Sequence, residues 1–141
     1  MYISIDIAIV QCLIEFNKKL FMDRLTTLEI LNYVLESIFL IQKRFEVINS
    51  IEDFDTELGK EKLDAICMRL QTVGESIKIL DKRERVFLNM VADDDYWSKI
   101  IKMREIISHH YATIDEEVVY MICSDHINKL EQHIHSLLQK L

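Results

Sequence analysis

The chain has no proline and only two glycines, Gly59 and Gly74, in 141 residues. Sandwiches and barrels consume turn residues at every corner, so this scarcity points to helices joined by few connections. Two glycines this far apart cannot build a GxGxxG or GxxxxGK phosphate loop, which excludes Rossmann and P-loop enzymes. The length fits one domain, and a hydrophobic content of 50% supports one sizeable core.

A net charge of −7 repels polyanions at long range, so any nucleic-acid site must be local. Cys12, Cys67 and Cys123 are odd in number and lack a CxxC pair, which fits a reducing compartment, the cytoplasm, better than a disulfide framework or a zinc ribbon. Residues 1–16 are apolar but broken by Asp6 and too short to span a bilayer, so no membrane association is expected. Their alternating Ile3, Ile5, Ile7 and Ile9 would suit a strand, whereas Val10, Leu13 and Ile14 suit a helix; the helix is the expectation.

Beyond that segment, periodicity predicts an all-α, up-and-down bundle of four main helices near 23–49, 60–81, 95–109 and 114–138. The first carries Leu28, Leu31, Leu35, Ile38 and Phe45 beside a second stripe of Val34, Ile41 and Ile48. So wide an apolar face predicts a homodimer. Residues 50–58 read as a connection ending at Gly59. The second helix aligns Leu63, Ile66, Cys67, Leu70, Val73, Ile77 and Leu80, with Gly74 on the same face, where close helix–helix approach would offset glycine's poor helix propensity. Lys82 to Arg85 read as a solvated helix end, and Asp93 to Asp95 as a loop with an N-cap. Thr113 and Glu116 form a TxxE capping box that should start the last helix, which would bury Val119, Cys123, Ile127, Leu130, Ile134, Leu137 and Leu141.

Trp97, Ile100, Ile101, Arg104, Ile107, Ser108 and Tyr111 recur at three and four, which puts Arg104 on an apolar stripe. A buried guanidinium needs a carboxylate, a ligand anion or a wet interface; Glu75, beside Gly74, is the candidate carboxylate. His109 and His110 follow at an expected helix end. On an unbroken helix Arg104 and His109 diverge by about 140°, so either the backbone breaks between them or two chains contribute to one site. Cys123, His126, His133 and His135 could be read as metal ligands, but histidines on a helix face explain them better, and no metal is expected.

The string from Arg104 to Tyr111 matches the RxxxxHxY motif of the HepT-like toxins, ribonucleases of the HEPN superfamily, and the chain resembles that family in three further respects. Leu70 to Ser76 is similar to its "GE" helix, Trp97 stands where its tryptophan precedes the arginine, and the order and separations agree over about residues 22–141. Residues 1–21 are then an N-terminal extension to a HepT-like domain at 22–141, and Met22 opens a sequence typical of the family's first helix. Glu105 departs from the small polar residue usual after the arginine, and its charge opposes an RNA phosphate.

The resemblance implies a dimer that joins two RxxxxH motifs in one cleft and cleaves single-stranded RNA without metal or other cofactor, as the toxin of a type VII-like toxin–antitoxin pair. Arg104 and His109 would be catalytic, while Lys99, Lys102, His110 and Glu75 would contact RNA or support the site. DNA, lacking the 2′-OH, would resist. The partner implied is a minimal nucleotidyltransferase antitoxin that transfers AMP from ATP onto Tyr111. The alternative from another class is a dimeric helical module that binds a nucleotide or a partner without cleaving.

Overall fold

The computed structural model describes residues 6–109 and 115–141, without the side chains of 18–24, 106, 108 and 109. Among the described residues there is no strand, and the helices at 27–45, 57–89 and 94–109 surround one core together with a C-terminal rod. No helix among them is long and apolar enough to cross a membrane.

The N-terminal segment expected to be helical is α1 (Ile7–Arg24), and the helix expected at 23–49 is α2 (Thr27–Phe45). A capping box divides them: Thr26 Oγ1 accepts from the Glu29 backbone N–H at 3.2 Å, and the Glu29 carboxylate accepts from the Thr26 N–H at 2.8 Å. Ile30, Leu31, Val34, Ile38 and Ile41 of α2 are fully buried, with Ile48 beyond its end at 6% exposure. Leu35 and Phe45 are half-buried, and Leu28 is exposed because it lies about 120° around the helix from Val34. The protein's own core therefore consumes the wide face that suggested a dimer.

Residues 50–58 are more ordered than a plain connection. A 3₁₀ turn, Ile51–Asp55, inserts Phe54 into the core, and Thr56 then caps α3 (Glu57–Asn89). Gly59 lies inside the first turn of α3, where a Cβ would stand 1.7 Å from the Asp53 carbonyl oxygen. α3 also overruns its expected end. Lys82 to Arg85 mark a solvated kink at Glu84 (φ −138°, ψ 42°), not a terminus, because Leu88 beyond it still has a buried site to fill.

The helices alternate in direction. Arg44 donates to the Ala65 carbonyl at one end of the α2–α3 pair, and Arg83 donates to the Leu25 carbonyl at the other. α4 (Asp94–His109) returns along α3, with Trp97 bonded to the Leu88 carbonyl and Arg104 against Gly74. The rod comprises α5 (Glu116–Met121), a π turn (Ile122–His126) and α6 (Ile127–Gln139). Asp115 caps it by accepting from Glu117 and Val118; the box expected from Thr113 falls outside the described residues. Val119, Cys123, Ile127, Leu130, Ile134 and Leu137 are buried as expected, but Leu141, beyond the end of α6, is exposed.

Candidate functional site

Two contacts fix α4. Its start is capped by Asp93, whose Oδ1 accepts from the Tyr96 N–H at 2.9 Å, and is anchored by the fully buried Trp97, whose Nε1 donates to the Leu88 and Ala92 carbonyls at 3.0 and 3.1 Å. Two turns on, α4 meets α3 so closely that a Cβ on Gly74 would lie 2.5 Å from the Arg104 Cβ and 3.3 Å from its Cα. The close approach expected at Gly74 is thus made onto Arg104 itself, and the backbone and stem of that arginine are held by the packing of two helices.

The half-buried Arg104 does not form the ion pair expected with Glu75: the pairs found within 4 Å among the described residues are Arg85–Asp81, Lys99–Asp95 and His135–Glu131. Its Nε is buried without a hydrogen-bond partner. Removing a cationic donor from water without an acceptor is unfavourable. Glu75 is half-buried on α3.

α4 runs without interruption through His109. Positions 104 and 109 therefore stand about 140° apart around its axis, and no backbone break brings them together within one chain. His110 and Tyr111 lie outside the described residues, as does the His109 side chain. Lys99 is exposed and paired with Asp95 at 3.1 Å, while Lys102 is exposed. Glu105 is also exposed, one residue past Arg104.

The other side of α4 faces a cleft of about 520 Å³ that the sequence reading missed. Ile100, Met103 and Ile107 form one wall, Val118, Ile122, Ile127 and Leu130 the other, and Lys99, Lys102, His126 and Lys129 rim it. The π turn shapes the second wall. At its edge the His133 ring stacks edge-on against Tyr96, centroids 4.6 Å apart, and Lys129 Nζ lies 5.9 Å from the Tyr96 ring centre. Burial, then the charge of Lys129, lowers the His133 pKa, and burial pushes the Tyr96 phenol up to about 12.

The residues weighed as metal ligands face different ways. Cys123 is buried near Cys67, both thiols pushed up to about 12 mainly by burial; His126 is exposed at the cleft rim; and His135 approaches Glu131 at 3.9 Å.

No solved structure matches the chain. Residues 34–137 match the family model described as "Ribonuclease HepT-like", a span that takes in α3, α4 and nearly all of the C-terminal rod. With most of its length matched, the chain belongs to the HepT-like ribonuclease family.

Proposed function

We propose that this protein is a metal-independent endoribonuclease of the cytoplasm, the toxin of a type VII-like pair, acting as a homodimer. The observation that carries this reading is Arg104: a half-buried cation held in place by Gly74, with a buried and unpartnered Nε. Such a group suits a phosphodiester whose non-bridging oxygens gain charge in the transition state.

In the proposed reaction the RNA 2′-oxygen attacks phosphorus as its proton passes to a base, the bond to the 5′-oxygen breaks, and that oxygen takes up a proton. The products are a 2′,3′-cyclic phosphate and a free 5′-hydroxyl. His109 exchanges protons with the 2′-OH or the leaving oxygen, and Arg104 stabilises the phosphorane oxygens. The unbroken α4 supports a site assembled from two chains, because one helix aims positions 104 and 109 in different directions. Lys102 and Lys99 supply local attraction that the net charge of −7 does not. His110 and Glu75 complete the supporting set.

Regulation follows the same chemistry. A minimal nucleotidyltransferase antitoxin joins the Tyr111 hydroxyl oxygen to the α-phosphorus of ATP with loss of pyrophosphate. The added phosphate competes for Arg104 where the scissile phosphate would sit. Mass spectrometry after co-expression with such an enzyme should find AMP on Tyr111 and none on Tyr111→Phe; inhibition without modification would remove this part of the reading.

The test of the ribonuclease is cleavage of single-stranded RNA in EDTA, with matched DNA resistant. Arg104→Ala and His109→Ala should each lower the rate by about 10²–10³-fold with circular dichroism unchanged. Equal cleavage by the wild type and both variants would place the activity elsewhere. RNA binding without cleavage would favour the non-cleaving module, with Glu105 repelling the phosphate.

A further inference from the structure

Arg104 has a cationic neighbour on α3 that the proposed reaction does not use. Lys78 stands one turn beyond Gly74, at i+4, and is exposed. Residues at this spacing share a helix face, so Lys78 lies on the flank of α3 that Gly74 turns toward α4. The core takes the other flank, through Val73, Ile77 and Leu80.

Antiparallel packing aims the two cations at each other. Leu88 lies beside Trp97 and Gly74 beside Arg104, so the level of Lys78 on α3 is that of Ile100 and Ile101 on α4. Side chains of a helix lean toward its N-terminus. For Arg104 that direction leads along α3 toward Lys78, and for Lys78 it leads back toward Gly74 and Arg104. The two levels differ by about 6 Å along the helix axes, four residues at 1.5 Å each, which two long side chains span easily.

Neither cation is neutralised. Among the described residues no ion pair within 4 Å involves Lys78 or Arg104, so Glu75 and Glu105, though close in sequence, answer neither. Asp81 is held by Arg85 at 3.1 Å, Asp94 acts on the same arginine, and Glu84 sits in the kink beyond. Two like charges facing one seam repel each other, in a protein whose net charge is −7. An anion bound between them turns that repulsion into two attractions.

We propose that Lys78 and Arg104 grip one phosphodiester between them, with Lys78 as a second phosphate-binding residue contributed by α3. The inference rests on the reading of Arg104 as a phosphate ligand. The arginine, its stem fixed by Gly74, supplies a planar donor, and the lysine supplies a point charge on a flexible stem that can follow the phosphate. Contacts to phosphate oxygens carry no base information, so Lys78 adds affinity without sequence preference. α3 thereby enters the site twice, through the glycine that fixes the arginine and through the lysine that shares its ligand.

The probe is a 2′-deoxy dinucleotide, which has a single phosphodiester and no 2′-hydroxyl to react, titrated into the full chain and followed by NMR. Lys78→Gln and Arg104→Gln should each weaken binding about tenfold, the loss of one charge-assisted hydrogen bond. Lys78→Arg, which keeps the charge, should recover most of that loss. Lys43→Gln removes the same charge from an exposed position beside Arg44, at the far end of the α2–α3 pair, and should leave binding unchanged.

A methylphosphonate analogue of the dinucleotide, neutral at phosphorus, should bind the wild type and Lys78→Gln alike. Lys78 is exposed, so its replacement spares the core, and unchanged circular dichroism checks this. The proposal is overturned if the wild type does not bind the charged dinucleotide, or if Lys78→Gln binds it as tightly as the wild type. Equal loss of affinity for the charged and neutral forms overturns it too. The outcome is separable from the ribonuclease reading. Binding that needs both cations in a chain that cuts no RNA keeps this inference and removes that one, and RNA cleavage that needs Arg104 but is indifferent to Lys78→Gln does the reverse.

Discussion

The two sides of α4 are built on opposite terms. Against α3 it is sealed: Trp97 is fully buried and Gly74 lets the helices close until a single added methyl would collide with Arg104. Against the C-terminal rod it stands off, leaving a cleft with lysines on its rim. The sealed side fixes where α4 lies. The arginine's stem is fixed by the sealed side, its Nε is buried without a hydrogen-bond partner, and the residue as a whole is half-buried.

If the sealed side alone positions α4, damage there should dominate stability. Trp97→Ala removes the largest buried side chain and frees the Leu88 and Ala92 carbonyls it satisfies, and should lower the unfolding free energy by about 3–5 kcal/mol, read as a shift in urea midpoint. Gly74→Ala should cost about 1–3 kcal/mol from overpacking, partly offset by the better helix propensity of alanine. It should also slow RNA cleavage by about 10²-fold, since the displaced group is Arg104 itself. A Gly74→Ala variant as stable and active as the wild type would mean that the contact has slack.

Smaller effects probe the edges of the same helix. Asp93→Ala deletes the cap of α4 and should cost about 1 kcal/mol. On the open side, Lys102→Ala should stay within about 0.5 kcal/mol of the wild type in stability. Its effect belongs to cleavage and to salt dependence, which should weaken with the loss of one cation. A large stability loss from Lys102→Ala would contradict the division between the two sides.

Most of this architecture was legible in the sequence, and what escaped has identifiable physical causes. The close approach at Gly74 followed from a glycine on an apolar helix face, and the cap at Asp93 from its position before a helical period. The start of α2 had its own signal, the TxxE box at Thr26 and Glu29, which sets it slightly later than the Asp23 from which the helical period was read. The overrun of α3 was hidden because a charged run resembles a terminus, and only tertiary burial of Leu88 shows that the helix goes on.

The cleft was hardest to foresee. The buried series 119, 123, 127 takes two consecutive steps of four, which drift about 80° around a regular α-helix, and the π turn absorbs that drift. The spacing was visible, but not that the turn would leave a groove beside it. For the site, Arg104 could be read from its place on an apolar stripe, whereas its freedom from Glu75 depends on how α3 and α4 are rotated about their contact. No local pattern encodes that rotation.

The smallest predicted effect concerns the seam between the two sides, where His133 of α6 stacks on Tyr96 and Trp97 of α4. Its Nδ1 is buried without a hydrogen-bond partner, and burial together with Lys129 lowers its pKa below the ordinary 6.5. The folded state therefore prefers the neutral ring. As pH falls through 6.5 the unfolded chain takes up a proton that the folded protein refuses, so stability is fully present above 6.5 and declines until the lowered folded pKa is passed. His133→Gln cannot titrate and should lose less stability than the wild type between pH 7.5 and 5.5, measured as the difference in urea midpoint. Lys129→Ala should shrink the loss by a smaller amount, since the lysine is the lesser cause. Equal losses in the wild type and His133→Gln would mean that the seam opens enough to hydrate the imidazolium, and the boundary between the sealed and open sides of α4 would then have to be drawn nearer to Trp97.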